Sequence, residues 1–270
     1  MAAINGRDIA GKIISDLKIR PIPGKKLAAI FVGESPASES FLRQKEKVAK
    51  ELGIEFQIYQ LPESMDQEDL EDKVERIGKS EKIGGMIIQL PLPDKFNRER
   101  ILARINPAKD IDALTPGSPV EPLPVGVIKE IISSIIANEP GELAEYLKNK
   151  SVAVVGRGIL VGKPIAEWLK GKCREIKVFF SGSDLSELKN YDLVMTGVGK
   201  AGLIKPEALK FGAGVIDFGF DMKGGKISGD LDTTRLTANN SRLSFYTPTP
   251  GGTGPILVAE LFKNFYRLIS

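Results

Sequence analysis

The chain has 270 residues, 42% of them hydrophobic, and 38 Lys and Arg against 35 Asp and Glu leave a formal net charge of +3. That length favours two modest cores over one, the interspersed charge excludes nucleic acid as a main partner, and the amphipathic opening segment is neither a signal peptide nor a membrane span, so a cytoplasmic protein is expected. One cysteine, Cys173, and no histidine exclude an internal disulfide, imidazole-based nucleophile systems and nearly every zinc site; no metal is expected, and proton chemistry falls to Lys, Asp, Glu, Tyr or water.

In chain order, residues 6–18 read as an amphipathic helix and Lys26 to Val32 as a buried strand. Pro36 to Leu52 reads as a helix with Ser35 as N-cap, Pro36 at its first position and Gly53 as its stop. A strand at 54–60, a helix at 66–78 and a strand at 84–89 follow, the last running into Leu90-Pro91-Leu92-Pro93. This is a parallel βα pattern. A helix from Gly126 to Ala137 and a loop at 138–141 lead to strands at 151–155, 176–180, 192–196 and 214–218, a second α/β unit. A helix opens at Pro164 after a glycine turn, and Gly254 to Ile269 is apolar at helical spacing, packing back on the first unit. The predicted fold class is α/β in two domains.

Three places carry chemistry. In SVAVVGRGILVGKP, Gly156, Gly158 and Gly162 follow a strand and precede a helix, the order in which a helix N-terminus receives a pyrophosphate. The spacing is G-x-G-x-x-x-G, and the turn alone also admits tight packing with no ligand, the lesser of the two readings. The next strand ends in Ser181-Gly182-Ser183 with no carboxylate until Asp184, so Arg157 and Ser181 suit a ribose 2′-phosphate and favour NADP over NAD; taken alone, Arg157 also reads as a solvated surface arginine.

The helix from Pro36 supplies the second. Its apolar stripe runs Ala37, Phe41, Val48, Leu52, and the missing member is Lys45. Either the stem lines the stripe and the ammonium reaches water, or the amine is desolvated and titrates nearer neutrality. Third, Asn106 to Asp112 ends in carboxylates at Asp110 and Asp112, which point the same way if extended, and Thr247 to Pro255 (TPTPGGTGP) makes a rigid loop with exposed backbone N–H groups. Both also fit ordinary turns.

Together, ESPASESFLRQKEK, GGMIIQLPLP, NPAKDID, VVGRGILVGKP, the run from Tyr191 to Phe220, GDLD and TPTPGGTGP resemble the methylenetetrahydrofolate dehydrogenase/cyclohydrolase family in order and spacing over nearly the whole chain. The resemblance implies a folate-binding catalytic domain of residues 1–125 plus 246–270, completed by the C-terminal helix, and a Rossmann-type NADP domain of 126–245, with a folate cleft between them and a homodimeric assembly. It implies NADP-dependent oxidation of 5,10-methylenetetrahydrofolate to the methenyl form, then hydrolysis to 10-formyltetrahydrofolate. The family's lysine falls on Lys45, its glutamine on Gln89 and its pterin-holding aspartate on Asp112. Phe41, Leu90, Pro91, Pro250, Gly251 and Gly252 would line the substrate, and Gly156, Arg157, Gly158, Val161, Gly162, Ser181 and Thr196 the cofactor.

The chain departs from the family pattern at Phe41 (tyrosine), Ala113 (glycine), Pro122-Leu123 (Cys-Thr), Gly158 (serine) and Phe180 (histidine). Phe41 keeps an aromatic face and loses a hydroxyl that could serve Lys45, which weakens the hydrolytic step. A monofunctional dehydrogenase, a catalytically silent folate- or nucleotide-binding paralogue and a shikimate-type dehydrogenase are the competing readings.

Overall fold

The computed structural model describes residues 1–136, 142–223, 226–236 and 243–269. In chain order the elements are β1 (Ala2–Ala3), α1 (Gly6–Lys18), β2 (Lys26–Val32), α2 (Pro36–Glu51), β3 (Phe56–Leu61), α3 (Gln67–Lys79), β4 (Ile83–Ile88), α4 (Arg98–Leu102), α5 (Leu123–Ile135) and α6 (Glu142–Lys148). They continue with β5 (Ser151–Val155), α7 (Gly162–Leu169), β6 (Glu175–Phe179), β7 (Leu193–Thr196), β8 (Gly214–Asp217), β9 (Asp221–Lys223), β10 (Lys226–Ser228), β11 (Phe245–Tyr246) and α8 (Thr253–Ile269). The predicted loop at 138–141 lies outside the described residues.

The chain divides into two compact units, Met1–Ala10 with Pro124–Leu257, and Gly11–Leu123 with Val258–Ser270. The sequence-based division differs at three places. Residues 1–10, 124–125 and 246–257 cluster with the six-stranded unit rather than with the three-stranded one. Backbone pairing is the reason: β1 and β11 are too short to stand out as strands, yet β11 pairs with β8 and β1 with β11, which ties both segments to the larger sheet.

In the three-stranded unit the sheet order is β3-β2-β4, all parallel, with Ala29 opposite both Ile58 and Ile87. β2 (KLAAIFV) and β4 (IGGMII) are covered on both faces, which is why they read as apolar runs rather than as alternating ones. Helix α3 contributes Leu70, Val74 and Ile77, and α8 contributes Phe262 and Phe265, all buried. A Cβ on Gly85 would lie 2.7 Å from the Phe265 ring and 2.8 Å from Ile111. Glycine at that position lets α8 settle on β4.

The six-stranded unit has the order β1-β11-β8-β7-β5-β6, parallel throughout, beside an antiparallel β9–β10 hairpin. Strand β5 (SVAVV), flanked by β7 and β6, is buried along its whole length. Phe179 and Tyr191 meet edge-on at 5.7 Å in the core beside it. Helix α7 begins at Gly162, two residues before the predicted start at Pro164.

Candidate active site

Helix α2 forms where its caps predict. Ser35 is extended and its hydroxyl accepts the Ser38 amide at 3.3 Å, Pro36 occupies the first turn, and Gly53 follows at φ +70°. Its buried face, however, is Ser38, Leu42, Lys45 and Ala49. Three of the predicted positions are one residue out of phase, Ala37, Phe41 and Val48 being half-buried, whereas Lys45 and Leu52 lie on the buried line. At 7% exposure Lys45 does not snorkel.

The Lys45 ammonium donates to Gln89 Oε1 at 3.0 Å, and Gln89 Nε2 donates to the Leu90 carbonyl at 2.9 Å. Gln89 follows β4 directly, and its amide is anchored on the Ile30 carbonyl at 2.8 Å. A strand end therefore fixes the acceptor and a helix face fixes the donor. The Phe41 ring lies 5.2 Å from the same nitrogen. Leu90–Pro91 is cis.

Asp112 enters from the loop after Asp110. Burial lifts its carboxyl to about 6, with the charge of Asp110 adding to the rise and that of Lys45 opposing it. Burial likewise holds Lys45 below the ordinary lysine range, against the pull of Asp112. Desolvation dominates both groups, so each is poised closer to neutrality than in water. Asp110, fully buried, uses Oδ2 to accept the Thr115 amide and hydroxyl, each at 2.7 Å. The two aspartates that the sequence pairs thus have different tasks: Asp110 ties the loop and Asp112 feels the lysine.

In the six-stranded unit, Gly156 ends β5 at φ +104°, and a Cβ on Gly162 would lie 2.0 Å from the Gly156 carbonyl oxygen. Only glycine permits that approach between the turn and the start of α7. Gly158 faces open space, and the Val161 side chain packs over Gly197. The Arg157 guanidinium lies 4.6 Å from the Phe180 ring, and Ser181, next along the chain, is exposed. Asp184, the nearest acid after β6, is occupied by the amide and hydroxyl of Ser186. The arrangement fits a nucleotide bearing a 2′-phosphate: a pinched glycine turn, an open position at Gly158 and a guanidinium whose donors remain exposed.

Thr196 is buried, and its hydroxyl donates to Asp230 at 2.6 Å. Asp230 also accepts the amides of Val198 and Lys200, each at 2.7 Å. Pro250 to Gly252 form a turn in which Gly252 N donates to Pro248 O at 2.7 Å and Gly6 N to Gly251 O at 2.9 Å. A Cβ on Gly6 would lie 1.7 Å from the Gly252 oxygen, so this turn is set by backbone contact with the start of α1.

Residues 4–112 match the model of the tetrahydrofolate dehydrogenase/cyclohydrolase catalytic domain, and residues 135–270 match that of the NAD(P)-binding domain. The chain belongs to the tetrahydrofolate dehydrogenase/cyclohydrolase family. A curated relative, the bifunctional protein FolD of Halothermothrix orenii, is 35% identical over 97% of this chain and 95% of its own. The FolD methylenetetrahydrofolate dehydrogenase/cyclohydrolase of Campylobacter jejuni superposes with a TM-score of 0.87 at 28% identity, over 98% of this chain and 97% of its own. The Trypanosoma brucei FolD enzyme, solved with NADP and an inhibitor, gives 0.86 at 27% identity over 99% of this chain and 97% of its own.

Within this family chain, sequence reasoning missed two supporting polar groups, Thr115 on Asp110 and Asp230 on Thr196, and the aromatic Phe180 beside Arg157. Asp230 was visible as part of GDLD but carried no signal for its role. Phe180 was legible only as an absent histidine.

Proposed function

We propose that this protein oxidises 5,10-methylenetetrahydrofolate with NADP and hydrolyses the resulting methenyl cation to 10-formyltetrahydrofolate. The observation that carries the reading is the buried Lys45–Gln89 pair, 3.0 Å apart and within the field of Asp112, in a chain that matches both family domains. The first step needs positioning more than proton transfer, because the substrate nitrogen lone pair drives the hydride out. Bound NADP supplies the hydride acceptor. Gly156, Arg157, Gly158, Val161, Gly162 and Ser181 would hold it, with Thr196 shaping the site through its tie to Asp230.

The second step uses Lys45 directly. Water oxygen bonds to the methenyl carbon while the neutral amine takes one of its protons. Collapse of the carbinolamine breaks the bond from that carbon to N5; the ammonium returns its proton to N5, and the carbinol proton leaves to solvent. Gln89 holds the amine in place through its side-chain oxygen, and Asp112 accepts the N–H edge of the pterin. Phe41, Leu90 and Pro91 shape the substrate surroundings beside Lys45. Phe41 offers the amine a ring face but no hydroxyl, so hydrolysis runs below the rate a tyrosine would support. The folate-binding assignment to residues 1–125 plus 246–270 and the NADP assignment to 126–245 describe function; the compact units differ from them at the termini of each segment. A cytoplasmic site of action agrees with the single free cysteine, and a homodimer follows the family resemblance.

The test follows reduced cofactor and methenyl absorbance together in the presence of 5,10-methylenetetrahydrofolate and either NADP or NAD. NADPH formation with methenyl decay faster than the enzyme-free rate supports both activities. Persistent methenyl signal reduces the protein to a dehydrogenase, and no reduced cofactor with either nucleotide refutes the proposal.

A further inference from the structure

Asn264 lies in α8 at 1% exposure, among Leu261, Phe262 and Phe265, which are fully buried. A buried amide in an apolar helix face is destabilising unless it is hydrogen-bonded. Its Nδ2 donates to two carbonyls, Ile111 at 3.0 Å and Glu121 at 2.9 Å. Both partners are acceptors, which fixes the orientation of the amide. Asn264 Oδ1 is buried and has no hydrogen-bond partner among the described residues. Leucine has the same branched shape and would avoid that cost, so what the asparagine adds is the pair of hydrogen bonds its nitrogen makes.

What it holds is the peptide that leads into Asp112. The Ile111 carbonyl belongs to the peptide plane that carries the Asp112 amide, and fixing that plane fixes the departure of the Asp112 side chain. The next residue, Ala113, has φ +54°, the one positive φ outside glycine among the described residues. Such a backbone persists where its surroundings over-determine it. The surroundings here are Asn264 on Ile111 and Glu121, Thr115 on Asp110, and the Ser118 hydroxyl on the Asp110 carbonyl at 2.8 Å. Asn264 reaches this loop from α8 by its side chain, and β4 reaches it by the Met86–Asp110 backbone bridge.

We propose that Asn264 is the positioning residue of Asp112: through the Ile111 and Glu121 carbonyls it clamps the loop so that Asp112 meets the pterin edge in one fixed orientation. This rests on the folate reading above. It predicts a defect confined to folate. In Asn264→Leu, KM for 5,10-methylenetetrahydrofolate rises about tenfold or more, because small displacements of a positioned group are costly. KM for NADP stays within about twofold, since loss of uniform binding to one ligand leaves the other untouched. A merely structural role lowers the active fraction, and with it the maximal rate, while leaving both KM values in place. Should the leucine variant not fold, Asn264→Ser, which is smaller and too short to span both carbonyls, reads the same KM split. Parent-like folate KM in a folded variant overturns the positioning role. A parent chain that oxidises no methylenetetrahydrofolate overturns the folate reading, and this inference with it.

Discussion

Lys45 is buried on its helix face at 7% exposure, and burial holds its amine below the ordinary lysine range. With the amine desolvated and Gln89 accepting from it, Lys45→Met should lower methenyl hydrolysis by about a hundredfold or more, the range of a general acid–base group. Hydride transfer should survive, and following NADPH and methenyl signals in one cuvette separates the two. Phe41→Tyr places a hydroxyl near the amine that its ring already faces at 5.2 Å. Hydrolysis should rise while NADPH formation stays level; an unchanged methenyl decay rate would assign the hydroxyl no part. Arg157→Ala should cut kcat/KM with NADP about ten- to a hundredfold more than with NAD, the loss of a charge-assisted contact to a phosphate. A uniform loss with both nucleotides would point instead to packing on Phe180. At this scale the sequence exposed Lys45 as the gap in an apolar stripe, though three positions of the stripe were misphased by one residue. Periodicity locates a helix face to within about one residue's rotation, and here Ser38, Leu42 and Ala49 are buried where the pattern gives Ala37, Phe41 and Val48.

Among the elements, those with caps or long apolar runs were legible before any coordinates. Helix α2 has Ser35, Pro36 and Gly53, and β2, β4 and β5 are continuous apolar segments of the kind that parallel sheets bury. Strands β1 and β11 were not, because two-residue strands are defined by their partners and not by their own composition. The network around the end of β8 was equally hidden. Asp217 accepts the amides of Gly219 at 2.7 Å and Leu231 at 2.9 Å, and burial pushes its carboxyl up to about 7, with nearby Asp230 adding to the rise. The sign follows from proton binding. Between about pH 4 and 7 the folded chain keeps this proton and the unfolded chain does not, so stability falls as pH rises through that window. The span is at most about 4 kcal/mol. Urea unfolding at pH 5 and pH 8 should show the parent more stable at the lower pH with respect to this group. Asp217→Asn should flatten the slope, and a slope identical to the parent's would assign the pH dependence elsewhere.

For the molecule as a whole, the lack of histidine was the most useful compositional fact, since it directed attention to a lysine as the proton carrier. The order of motifs along the chain then exposed two α/β units, but not their seams. The seams fall inside helices: the chain leaves one compact unit between Ala10 and Gly11, within α1, and re-enters the other between Leu257 and Val258, within α8. Among the described residues no helix is long and apolar enough to cross a membrane. Neither unit is therefore a continuous stretch of chain. On a ribosome this sets an unusual schedule. The strands β2, β3 and β4 emerge well before Phe262, Phe265 and the Asn264 clamp that complete their unit, with β5 to β8 of the other unit made in between. The three-stranded sheet is thus complete in strands long before it is covered, and until α8 is made the face that Phe262 and Phe265 bury stays open.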